Sequence, residues 1–100
     1  MHKIDKTEQL KILILDDDTS ICKLLDKILS KDYELTLTKN CKQFKAKIDN
    51  FNPHLLFLDL TLPDANGIDI CKKMREDEKY KDIVIIILTG SDTPETIEKA

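Results

Sequence analysis

Apolar and polar positions follow one another in blocks along this chain. Lys11 to Leu15 contains the aliphatic run Ile12-Leu13-Ile14-Leu15, too short for a helix and apolar on both faces, which predicts a strand inside a parallel sheet. The run stops at Asp16-Asp17-Asp18. From Thr19 to Ser30 the apolar positions Ile21, Leu24, Leu25, Ile28 and Leu29 fall at helical spacing, with Asp18 or Thr19 placed to cap the first turn. Tyr33, Leu35 and Leu37 then alternate with Glu34, Thr36 and Thr38, the pattern of a strand near a sheet edge with one apolar and one polar face.

Cys41, Phe44, Ile48 and Phe51 mark the buried stripe of a second helix. Asn52-Pro53 stops it, because Pro53 has no amide to donate and disfavours a helical conformation in the residue before it. Leu55 to Leu58 predicts a third strand, ending at Asp59. A loop with Pro63 and Asn66-Gly67 leads to a third helix marked by Ile70, Cys71 and Met74, and the polar run Glu76 to Asp82 returns the chain. Ile83 to Leu88, the most apolar segment, predicts a fourth strand, patterned for cover on both sides and closed by Thr89-Gly90-Ser91. Asp92-Thr93-Pro94-Glu95 combines a cap residue with a proline at the first helical position, so a fourth helix starts there. Four strand–helix units in alternation imply right-handed crossovers and an α/β fold, a doubly wound parallel sheet with helices on both faces. Residues 1–9 lack any period and read as a short extension; residues 10–100 form the domain.

With 100 residues, 41% hydrophobic and 35% charged, the chain has the makeup of one soluble globular domain. No apolar run approaches the roughly 20 residues needed to span a bilayer, and the first residues lack a signal peptide's apolar core, so no membrane association and a cytoplasmic location are expected. Cys22, Cys41 and Cys71 are widely spaced within helical segments and are expected to be buried thiols. A net charge of -3 with lysines interleaved among acids offers no stripe for direct nucleic-acid binding. Arg75 is the only arginine, leaving backbone amides, lysine or a metal to recognise phosphate.

In an open parallel sheet, ligands bind outside the carboxyl ends of the strands. At those ends stand Asp16, Asp17 and Asp18, then Asp59, then Thr89 with Gly90. Each has an ordinary role when taken alone: helix capping for the acids, a turn hydroxyl for Thr89. Their joint placement at three strand ends points to chemistry. Two carboxylates about 4 Å apart repel by roughly 4 kcal/mol near a protein surface, so such a cluster must share protons or hold a cation. A hard divalent ion such as Mg²⁺, with oxygen ligands and retained waters, is the simpler solution.

The segments Ile12 to Asp18, Leu58 to Gly67 and Ile86 to Gly90 resemble the three signature stretches of response-regulator receiver domains, in family order and spacing. The resemblance implies a flavodoxin-like receiver fold with strand order 2-1-3-4. It implies that Asp59 is the phosphoacceptor, attacking a phosphohistidine of a sensor histidine kinase or phosphotransfer protein, or a small acyl phosphate. It further implies that Asp17 and Asp59 bind Mg²⁺ directly, Asp16 mainly through water and Thr61 through its backbone carbonyl. Thr89 takes the place of the switch hydroxyl, and Thr61 and Ser91 take the places that tune the lifetime of the acyl phosphate. Leu62 and Gly90 stand where the family more often has methionine and alanine.

The family continues through a fifth strand, carrying a lysine, and a fifth helix; this sequence ends at Ala100, and Lys99 lies in the fourth-helix region. Two expectations follow: slowed or abolished phosphorylation, and self-association through an exposed fourth strand. The domain is expected to be a phosphoryl acceptor, not an enzyme. Phosphatases with an aspartyl nucleophile on a similar sheet need a second acid two residues later, where Thr61 stands. The alternative is a receiver-like interaction module or fragment that has lost phosphotransfer.

Overall fold

The structure, a computed structural model, describes residues 9–88. The element order is β1 (Lys11–Leu15), α1 (Thr19–Leu29), β2 (Glu34–Thr38), α2 (Cys41–Phe51), β3 (Leu55–Asp59), α3 (Gly67–Glu76), a 3-10 turn (Glu78–Tyr80) and β4 (Val84–Leu88). Residues 1–8, Thr89 and the fourth helix expected from Asp92 lie outside the described residues. The strands form one parallel sheet in the order β2-β1-β3-β4, so the expected doubly wound topology holds.

Two cores explain why the aliphatic runs become central strands. Leu13, Leu15, Leu56 and Leu58 point to one face and bury completely against Phe44 and Ile48 of α2 and Ile70 and Met74 of α3. Ile12 and Ile14 point to the other face and meet Cys22 of α1, with Leu25, Leu29, Leu35, Leu55 and Phe57 partly buried around them. Each fully buried aliphatic side chain contributes about 1.5–3 kcal/mol, so β1 and β3 anchor the molecule.

Helix ends follow side-chain chemistry. Asp18 caps α1, its carboxylate accepting from the amides of Ser20 and Ile21. Asn40 caps α2, accepting from Gln43, and α2 closes at Asn52, which takes a left-handed φ of 52° before Pro53. The guanidinium of Arg75 donates to the carbonyls of Lys81 and Ile83 at 2.8 and 2.7 Å, which orders the chain returning to β4.

Three expectations need correction. In β2 the polar face goes inward at its end: Thr38 is buried, its hydroxyl donating to the Ile14 carbonyl at 2.7 Å, while Leu37 is exposed. The hydrogen bond satisfies the hydroxyl, and the edge position leaves Leu37 without a cover. In α1 the apolar stripe is wider than its contact with the sheet, so Ile21, Leu24 and Ile28 stay exposed. β4 begins at Val84, one residue later than expected, and Val84 and Ile86, paired with Leu55 and Phe57, are exposed on the α1 face. The cysteines fare as expected for Cys22 and Cys41, which are buried, whereas Cys71 is half-buried. No helix among the described residues is long and apolar enough to cross a membrane.

Candidate metal and phosphoacceptor site

Parallel pairing of β1 with β3, from Ile12 opposite Leu55 to Leu15 opposite Leu58, brings the ends of both strands level. Asp59 is the last residue of β3, and Asp16 follows Leu15 directly. Asp16 stays in the sheet's hydrogen-bonding frame, its amide donating to the Thr38 carbonyl at 3.0 Å. The result is a cluster in which Asp16, Asp17 and Asp59 each offer a carboxylate oxygen within 4.8 Å of the others. Asp17 is exposed, while Asp16 and Asp59 are only 5% and 7% exposed.

Few donors serve these acids. Asp16 Oδ1 accepts from the Asp18 amide at 2.8 Å, and Asp59 Oδ1 accepts from the Thr61 amide at 3.2 Å. Burial, opposed by the Thr61 amide but reinforced by the neighbouring charges of Asp16 and Asp17, pushes the Asp59 carboxyl up to about 6. Burial likewise raises Asp16. A set of three crowded carboxylates, poor in donors and open to solvent through Asp17, fits a hard cation with oxygen ligands.

The loop after Asp59 is closed at its base. The Gly67 amide donates to the Leu60 carbonyl at 2.9 Å, and Thr61 bridges Asn66 in antiparallel fashion. Glycine is required at 67 because the backbones approach so closely: a Cβ there meets the Asp59 carbonyl oxygen at 2.4 Å and Leu60 Cα at 2.6 Å. The Asn66 side chain caps α3 by accepting from the Ile68 amide. A groove of about 530 Å³ between α2 and α3, floored by Phe44, Ile48, Ile70 and Met74, contains none of the three acids. Its floor is the packed core.

The chain matches the family model of the response regulator receiver domain over residues 12–100. It belongs to the response regulator receiver domains. The receiver domain is 38% identical over 93 residues to the transcriptional regulatory protein KdpE of Staphylococcus aureus, covering 92% of this chain and 39% of that protein. It is 32% identical over 90 residues to the transcriptional regulatory protein ResD of Bacillus subtilis, covering 89% and 37%. The chain thus spans about two fifths of the length of these curated relatives. In structure it superposes on the signal receiver domain of a DNA binding response regulator from Colwellia psychrerythraea with a TM-score of 0.85, at 21% identity, covering 91% of this chain and 76% of that one. That likeness shows the flavodoxin-like fold. Receiver domains bind Mg²⁺ at an acidic pocket, and this one carries the acidic cluster of Asp16, Asp17 and Asp59.

Of the site residues expected from sequence, the structure brings together Asp16, Asp17 and Asp59 and places Thr61 beside them through its amide. Thr89 is outside the described residues. Missed were Gly67, whose requirement is a backbone approach, and Asp64, whose carboxylate accepts from the amides of Cys41 and Lys42 at 2.8 and 3.2 Å. The Leu-Pro-Asp-Ala-Asn-Gly run signals a turn and does not reveal a bond to a helix more than 20 residues earlier.

Proposed function

We propose that Asp59 is the phosphoacceptor of this receiver domain, taken here as residues 10–100 after a short extension, and that Asp16, Asp17, Asp59 and the Thr61 carbonyl hold Mg²⁺. The reading is supported above all by one observation: three carboxylates from the ends of two adjacent strands share a space of 4.8 Å. A carboxylate oxygen of Asp59 attacks the phosphorus of a phosphohistidine or of a small acyl phosphate. The new O–P bond forms as the P–N or P–O bond of the donor breaks, and the departing imidazole or carboxylate keeps the bonding electrons. Bound Mg²⁺ supplies positive charge to the crowded acids and the incoming phosphoryl oxygens.

The residues divide the work. Asp59, held at the tip of β3, must be ionised to attack, and a carboxyl pushed up to about 6 is mostly ionised at neutral pH. The Thr61 amide orients Asp59 Oδ1 and leaves its other oxygen for attack. Asp16 and Asp17, held by β1 and the start of α1, face it with the remaining negative charge. Thr89 serves as the switch hydroxyl turning toward the phosphoryl oxygens.

In this reading the partner is a sensor histidine kinase or phosphotransfer protein, the domain works in the cytoplasm, and it is not an enzyme beyond slow loss of its own phosphoryl group to water. Incubation with acetyl phosphate, with and without Mg²⁺, followed by intact mass measurement tests it. The expected result is slow addition of one phosphoryl group that requires Mg²⁺ and disappears in Asp59→Asn. An adduct that persists in that variant, or that forms equally without the ion, contradicts it.

The same reading carries an expectation about assembly. Among the described residues β4 is a sheet edge, and Val84 and Ile86 leave it apolar on one face, so self-association through this strand is expected. Light scattering at rising concentration should show a growing mean mass; a monodisperse monomer throughout overturns it.

A further inference from the structure

We infer that Asp64 is a positioning residue for the ion and phosphoryl site, tying the loop that carries Thr61 to the start of α2. The inference rests on the reading of Asp59 and Thr61 given above. The loop between β3 and α3 leaves the sheet at Asp59 and returns at Gly67, and its base is pinned by the Gly67–Leu60 hydrogen bond and the Thr61–Asn66 bridge. Its outer part has no regular backbone partner. There Pro63 has no amide to donate, while Leu62 and Ala65 rest only partly buried against the core. Asp64 supplies the missing anchor. Its two oxygens accept separately from the amides of Cys41 and Lys42, the first two residues of α2.

Those amides are among the donors that a helix leaves without a partner, and a carboxylate there also meets the positive end of the helix dipole. The third amide, Gln43, is taken by Asn40, so two residues from different parts of the chain share one helix start. The division matters. Asn40 is local to α2, whereas Asp64 lies three residues beyond Thr61 and five beyond Asp59. The loop is therefore held at its base, where Thr61 bridges Asn66, and at its tip by α2, so Thr61 is restrained from both sides. A Thr61 held in this way presents its carbonyl and its amide to the site without first being ordered, and pre-ordering of this kind strengthens ion binding.

The two caps of α2 provide the test. Mg²⁺ titrations followed by ¹⁵N amide spectra, with backbone order parameters measured before the ion is added, are compared for the parent chain, Asp64→Ala and Asn40→Ala. Both variants remove a cap from the same helix and should lower the melting temperature. Only Asp64→Ala should raise the Mg²⁺ dissociation constant, by about fivefold. In that variant alone, the metal-free order parameters of Thr61 to Asn66 should fall from near 0.85 toward roughly 0.6. Equal weakening of Mg²⁺ binding in both variants would reduce Asp64 to an ordinary cap, and unchanged affinity and order in Asp64→Ala would overturn the tether. If the parent chain shows no response to Mg²⁺, the site reading fails by itself. The metal-free order parameters still decide the tether: reduced only in Asp64→Ala they uphold it, and unchanged they refute it.

Discussion

The interior of the sheet and its carboxyl end lie one residue apart along the chain, and burial acts on them in opposite directions. Leu15 and Leu58 are fully buried among aliphatic neighbours, and removing them from water stabilises the fold. The next residues, Asp16 and Asp59, are almost as buried, and there the same loss of water raises the energy of the charged form. Asp16, Asp17 and Asp59 would separate if the chain were free to move. They stay together because β1 and β3 are fixed in register by the core beneath them. The acid cluster therefore sits where local energetics are least favourable and is maintained by the part where they are most favourable.

Breaking the core should have the largest effect. Leu56→Ala removes a fully buried side chain beneath both strand ends and should lower unfolding free energy by about 2–5 kcal/mol in urea denaturation. Slightly less is expected at the boundary between the two regions. Gly67→Ala forces a methyl into the Asp59 carbonyl oxygen and should destabilise by about 1–3 kcal/mol while weakening Mg²⁺ binding, since the clash moves Asp59 itself. A variant that melts like the parent would show that the loop yields more easily than its geometry implies.

Within the acid cluster the sign reverses with pH. The Asp59 carboxyl lies near 6 in the folded state against an ordinary 3.8, so the folded protein holds this proton where the unfolded chain has released it. Its contribution to stability is fully present below about pH 4 and is lost as pH rises through about 6, on the order of 2 kcal/mol between those limits. Metal-free Asp59→Asn should lack this dependence and be more stable than the parent at pH 7. Thermal melts at pH 5 and pH 7 without Mg²⁺ check both points, and identical pH profiles for the two proteins would contradict them. The smallest effect belongs to the open side of α1. Leu24 is 52% exposed, so Leu24→Gln should shift stability by less than about 0.5 kcal/mol, and a larger loss in melting experiments would mean that this face is covered.

Much of this arrangement was legible in the sequence, for a physical reason. A strand covered on both faces has no room for polar residues, so β1 and β3 appear as unbroken aliphatic runs, and the acids that end them stand out. Periodicity says less at the margins. It identifies α1 as amphipathic but not how much of its stripe the sheet covers, hence the exposed Ile21, Leu24 and Ile28. In β2 the Thr38 hydroxyl found a buried carbonyl at Ile14, a pairing across strands that alternation cannot express. The turn at Glu78–Tyr80 was hidden in a polar run, since it is held by the Asp77 cap and by the Tyr80 hydroxyl donating to Asp49, not by apolar spacing. Asp64 and Gly67 act through contacts with distant backbone, which spacing along the chain does not encode.

In the proposed function, Asp16, Asp17 and Asp59 form one cation site at the nucleophile. Isothermal titration of Mg²⁺ into the parent chain, Asp17→Asn and Asp59→Asn at pH 7 addresses it most directly. One saturable site is predicted, weakened about tenfold or more by either substitution. Unchanged Mg²⁺ affinity in both variants would mean that these acids do not form the ion site.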